Sequence, residues 1–114
     1  KSAGVDAKKF NLDDAAFYNT ENSVIINSTS IGLKEADAPV IDFKKFDKSA
    51  SFFDMPYIAN KETPSVMAAR GAGIRAASGL AMLAYQGAKS LEIWTSKPFM
   101  GKLMLDALKT KIKQ

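Results

Sequence analysis

The chain has 114 residues, 46% hydrophobic and 25% charged, with a formal net charge of +4. That is the composition of one small globular domain, and no apolar run approaches the length of a membrane span. With neither cysteine nor histidine, disulfides, thiolate chemistry and imidazole acid–base catalysis are excluded, and no metal site is expected.

Residues 1–10 are small and polar and read as a loose end. The start, Lys1-Ser2-Ala3-Gly4-Val5-Asp6, has no apolar stretch of the signal-peptide kind, so a cytoplasmic protein is expected. Asn11, followed by Asp13 and Asp14, is placed to cap a short helix over residues 11–18. Ser23–Asn27 is a β-branched apolar run with polar flanks, which predicts a buried strand. It ends in the hydroxyl-rich loop Asn27-Ser28-Thr29-Ser30. Residues 31–49 carry Gly32, Pro39 and mixed charge and read as a loop with one turn around Phe43–Phe46.

Ala50–Met55 predicts a second strand. Thr63 as cap, Pro64 at the first helical position and Gly71 at the end bracket a short helix. Gly73–Ala77 is a short third strand. A long helix is expected from Leu80 to Trp94, broken by Lys97-Pro98, and a last helix from Phe99 to Lys111. Strands alternating with helices indicate an α/β fold with a parallel sheet. About three strands with C-terminal helices amount to half of a Rossmann-like sheet, residues 1–96, closed by residues 97–114. So thin a sheet has at least one raw edge, which calls for dimerisation, strand pairing or a covering segment.

On the long helix, Gly79, Met82 and Gln86 share one face, and Leu80, Leu83, Ala84, Gly87, Leu91 and Trp94 form a second, core-packing face. Gln86 reads either as a solvated amide or as a polar group lining a ligand pocket. The last helix carries Met100, Met104, Leu108 and Ile112 at four-residue intervals. Lys97, Lys102, Lys109, Lys111 and Lys113 flank it as a solvated face suited to a helix C-terminus. No aromatics interleave these lysines and no nucleic-acid fold motif is present, so no nucleic-acid or membrane partner is expected. The chain contains no G-x-G-x-x-G. Gly71-Ala72-Gly73 follows a helix instead of opening one, so it is a turn and not a phosphate loop.

Three segments in order carry a family likeness. Ser78-Gly79-Leu80-Ala81-Met82-Leu83-Ala84-Tyr85-Gln86-Gly87-Ala88, with Leu91-Glu92-Ile93-Trp94 beyond it, resembles the C-terminal part of shikimate dehydrogenases, where the pattern is close to D-G-L-G-M-L-V-x-Q-(A/G)-A. Ile25-Ile26-Asn27-Ser28-Thr29-Ser30-Ile31-Gly32-Leu33 is similar to the family's I-I-N-A-T-S-x-G-M. Phe53-Asp54-Met55-Pro56-Tyr57 with Thr63-Pro64 is similar to D-x-x-Y-x-P-x-x-T-P. Ala81 stands where the family has a second glycine, Ser78 where it has an acid or amide, and Ile58-Ala59 where Asn-Pro is usual. These departures bear on substrate identity, shikimate against quinate.

The resemblance implies an NADP-dependent oxidoreductase. Met55 and Gly79 would meet the nicotinamide, largely through backbone carbonyls, and Met82 would pack on its ring. Asn27, Thr29 and Ser30 would lie toward the ribose and phosphate, although the hydroxyls serve equally to cap the loop backbone. Tyr57 and Gln86 would hydrogen-bond a shikimate-type substrate. The family's catalytic Lys and Asp and its Gly-rich loop belong to upstream segments that this chain lacks. A C-terminal fragment without activity of its own is therefore expected, completed by the missing N-terminal part. The alternatives are a non-catalytic Rossmann-like binding module and a folate-linked dehydrogenase, which leaves Gly79–Gln86 unexplained. Independently of the resemblance, ligands of open parallel sheets bind beyond the carboxyl ends of the strands, and all three segments fall there.

Overall fold

The structure is a computed structural model that describes residues 4, 6–18 and 21–112. Parts of the expected loose end, the side chain of Ile112, and Lys113 lie outside the described residues. The elements run α1 (Ala15–Tyr18), β1 (Val24–Asn27), a 3₁₀ turn at Phe43–Lys45, β2 (Ser51–Asp54), α2 (Pro64–Gly71), β3 (Arg75–Ser78), α3 (Leu80–Thr95) and α4 (Gly101–Ile112). The sheet has three strands in the order β1-β2-β3, all parallel. Its register is flush: Val24 pairs with Ser51 and Ser51 with Arg75 at one end, Asn27 with Asp54 and Asp54 with Ser78 at the other. Three loops therefore leave the sheet at one level.

Local chemistry explains the best-defined element. Thr63 caps α2, its hydroxyl accepting from Val66 N at 3.3 Å, with Pro64 behind it where a missing N–H costs nothing. The helix ends in a Schellman arrangement. Ile74 N donates to Ala69 O and Gly73 N to Arg70 O, with Gly73 at φ +83°, a conformation that glycine adopts without a Cβ penalty. That turn drops Ile74 into the core.

The core sits on one face of the sheet. Phe43, Phe46, Phe52, Val66, Ala69 and Ile74 are buried together, with Phe17, Tyr18, Ile25 and Ala76 packed around them. The Phe43 and Phe52 rings meet edge to face at 4.6 Å. Each of these buried phenylalanine, valine and isoleucine side chains contributes about 1.5–3 kcal/mol. The opposite face is open. Val24 is 68% and Ile26 58% exposed, so the expectation of a buried first strand is corrected. β1 is an edge strand whose second face no described element covers, and its β-branched run reports strand propensity without burial. The shortest dimension of the molecule, 23 Å, leaves room for little more than a sheet with one layer on it.

Two helical expectations also change. Asn11 does not open a helix over residues 11–18. Its carbonyl closes a turn with Asp14 N, and the helix begins at Ala15, where Asp14 Oδ1 accepts from Ala16 N at 3.1 Å. On α3 only Ala84 and Ala88 are buried, and Trp94, placed on the core face by its spacing, is 78% exposed. The reason is that α3 packs chiefly on α4. Small residues allow this approach: a Cβ at Gly87 would come within 3.0 Å of Met104 Sδ. The break falls as expected, with Ser96 left-handed at φ 53° just before Lys97-Pro98. Glu92 closes the connection by accepting from Lys89 Nζ at 2.8 Å and Phe99 N at 3.1 Å. The Lys89 ammonium first, and the Phe99 N–H after it, hold its carboxyl below the usual range.

Candidate functional site

The flush register builds the site. Asn27, Asp54 and Ser78 end the three strands side by side. The residues that follow, Ser28–Ile31, Met55–Tyr57 and Gly79, form one row along the carboxyl edge.

Met55 and Gly79 are brought into direct contact. Met55 N donates to Asn27 O at 3.0 Å, and Gly79 N donates to Pro56 O at 3.2 Å. A Cβ at residue 79 would lie 2.9 Å from the Met55 carbonyl carbon and closer still to its oxygen. Gly79 has φ −69°, so its backbone suits any residue and only the close approach requires glycine. Beyond it, Met82 and Gln86 succeed one another along α3, both exposed, and Met55 and Tyr57 are also exposed. Two methionines beside one glycine at a sheet's carboxyl edge make a soft apolar surface with main-chain polar groups next to it, which fits a flat ring bearing an amide.

Asn27 is turned inward, and Thr29 bonds back to it. Asn27 is buried, and its Nδ2 donates to Asp54 Oδ1 at 2.7 Å and to Ile31 O at 2.9 Å. Its Oδ1 accepts from Thr29 N at 3.0 Å and from Thr29 Oγ1 at 2.7 Å. Thr29 Oγ1 in turn accepts from Ile31 N. These two side chains therefore shape the loop, and Ser30 lies exposed on its outside. Asp37 closes the other half of the loop, where its carboxylate accepts from Gly32 N and Lys34 N. Those two N–H groups, Gly32 first, hold its carboxyl below the usual carboxylate range.

Sequence reading missed the group at the centre of the row. Asp54 is fully buried between the Asn27 amide and the Thr63 hydroxyl. The available signal was an acid directly after Phe52-Phe53 with a Thr-Pro cap nine residues on. A cleft of about 780 Å³ opens elsewhere, between β3, the start of α3, and α4. Ser78, Leu80, Ala81, Leu105, Arg70 and Lys109 are among its lining residues. None of the expected contact residues lines that cleft, and their row is an open edge instead of an enclosed pocket.

A parallel sheet with three loops meeting at its carboxyl edge and a helix leaving the last strand at a glycine makes this a Rossmann-like α/β unit. The comparisons with known proteins narrow the class. The family model of the Shikimate 5′-dehydrogenase C-terminal domain matches residues 79–109. A shikimate dehydrogenase (NADP(+)) of Methanocella arvoryzae is 44% identical over 72 residues, which is 63% of this chain and 26% of that protein. The enzyme of the same name from Staphylococcus aureus is 33% identical over 97 residues, 85% of this chain and 36% of that protein. A shikimate dehydrogenase solved in complex with NADP+ superposes with a TM-score of 0.70 at 28% identity, over 81% of this chain and 32% of that one. The chain thus corresponds in sequence and fold to the C-terminal portion of shikimate dehydrogenases. It spans between a quarter and two-fifths of their length.

Proposed function

We propose that this chain is the C-terminal half of the nucleotide domain, with the closing helices, of an NADP-dependent shikimate dehydrogenase. That enzyme reversibly reduces 3-dehydroshikimate to shikimate. The observation that carries the reading is the row at the carboxyl edge, where the flush register sets Asn27–Ser30, Met55–Tyr57 and Gly79 side by side.

In this reading Met55 and Gly79 offer main-chain groups to the nicotinamide carboxamide, and Met82 packs on the ring. Asn27 and Thr29 hold the loop that presents Ser30 toward the ribose and phosphate. Tyr57 and Gln86 donate to, or accept from, the hydroxyls and carboxylate of the substrate. Held by Met55, Gly79 and Met82, the nicotinamide would donate hydride as NADPH in the reduction and accept it as NADP+ in the reverse direction. The chain's part is to orient the ring and the carbinol carbon.

Abstraction of the hydroxyl proton needs a base. The buried Asp54 carboxylate, closed in by Asn27 and Thr63, does not reach the open edge. The base and the phosphate-binding loop are assigned to an N-terminal portion, which also covers the open side of β1. The chain alone is therefore inactive as a dehydrogenase, and pairing of β1 edges between copies is what its isolation favours.

The test is to purify the protein as its own gene makes it, sequence its N-terminus and assay NADP-dependent oxidation of shikimate and quinate. A larger chain with a Gly-rich loop upstream and turnover of either acid supports the reading. A natural chain that begins near Lys1 and has no turnover leaves a binding module.

A further inference from the structure

Asp54 is the one buried ionisable side chain among the described residues, with 0% exposure, and nothing in the proposed chemistry uses it. Burying a carboxylate is costly unless both oxygens find donors, and an apolar side chain of similar volume carries no such cost. Here both are satisfied from different elements. Oδ1 accepts from Asn27 Nδ2 at the end of β1, and Oδ2 accepts from the hydroxyl of Thr63, the cap of α2.

The chain of contacts runs on from both partners. Asn27 passes it to Thr29 and to Ile31 O. Thr63 passes it to Val66 N. Gly32, at φ +105°, backs onto the same carboxylate, since a Cβ there would stand 3.5 Å from Oδ2. One residue beyond Asp54 is Met55, whose carbonyl abuts Gly79.

We propose that Asp54 is a positioning residue, which through Asn27 and Thr63 ties the 28–32 loop and the Met55 backbone to the start of α2 and so sets the edge that receives the nicotinamide cofactor. The part about the cofactor rests on the function proposed above. The tie itself does not. The Asp54 side chain joins the ends of β1 and β2 to the cap of α2, so loosening any partner moves the other two.

Amide hydrogen exchange on the full chain tests the tie. Asp54→Asn converts one acceptor into a donor. It should speed exchange at Thr29 and Ile31 by about tenfold or more and leave the middle of α4 within about twofold. Should that variant not fold, Thr63→Val removes one donor and leaves the carboxylate in place. It should speed exchange at Thr29 and Ile31, far from residue 63 in sequence, and Thr63→Ser should restore the slow rates. Changes confined to the first turn of α2, changes spread evenly over the chain, or no change would each overturn the proposal.

In the intact protein, Asp54→Asn should raise KM for NADP about tenfold and change KM for shikimate by less than about threefold, at temperatures well below melting. Wild-type kinetics alongside the expected exchange pattern would reduce Asp54 to a structural clamp and overturn the positioning role. An inactive wild-type protein would instead sink the function proposed above, and the exchange pattern would still decide the tie.

Discussion

Replacing Gly79 with alanine isolates the packing at the centre of the row. The φ of −69° is one alanine adopts freely, so no backbone strain enters. The added methyl would stand 2.9 Å from the Met55 carbonyl carbon and nearer to its oxygen. Relief requires α3 and the Met55-Pro56 segment to part by about 1 Å, an overpacking cost of about 1–3 kcal/mol. The same movement stretches the Gly79 N–H bond to Pro56 O, now 3.2 Å, which is worth about 1 kcal/mol more. A total of about 2–4 kcal/mol lowers the Tm of a domain of this size by roughly 10–20 °C. The assay is thermal and urea unfolding followed by circular dichroism, with Gly71→Ala as control. Gly71 ends α2 with nothing within 4 Å of its Cβ position, so alanine there should stabilise by about 0.5–1 kcal/mol. If Gly79→Ala melts within about 2 °C of the wild type, or if the two substitutions shift Tm alike, the argument from close approach is wrong.

Further expectations concern the loops and α3. Asp37 has a depressed folded-state pKa, so it stabilises the loop above the ordinary carboxylate range and that contribution is lost as pH falls through the folded value. Carboxyl NMR titration should find Asp37 among the last acids to protonate, and Asp37→Asn should flatten the acid limb of the stability profile. Glu92→Gln weakens the α3–α4 closure, and exchange at the Phe99 amide should rise while β2 is unaffected. In the intact protein, Gln86→Ala should raise KM for the shikimate-type substrate about tenfold, the equivalent of one hydrogen bond, with little change for NADP. Equal losses for both ligands would place Gln86 elsewhere.

Much of the fold was legible because its signals are local. Thr63, Pro64 and the Gly71–Gly73 turn announce α2 within a dozen residues, and Lys97-Pro98 separates the last two helices. The alternation of elements sufficed for a parallel sheet. What stayed hidden depends on neighbours far along the chain. Val24 and Ile26 look like core residues until β1 proves to be an edge with an open face. Trp94 sits at core spacing, but α4 docks on the small residues of α3 and leaves the indole outside. At the site, the row at the strand ends followed from the order of elements. The inward turn of Asn27 and the burial of Asp54 did not, because they need residues 27, 54 and 63 in one place.

The flush, consecutive sheet also has a consequence for the order of assembly. β2, α2 and β3 form a crossover whose helix carries its own cap and stop, and the return from Ser51 to Arg75 closes a short loop. β1 reaches β2 across a segment with only a 3₁₀ turn to shorten the search and bonds on one side alone. The crossover is therefore expected to form first, with β1 docking late and leaving early. Its release frees the Asn27 amide and undoes the loop. A ligand seated on that edge would be bound and released at the pace of one strand's attachment.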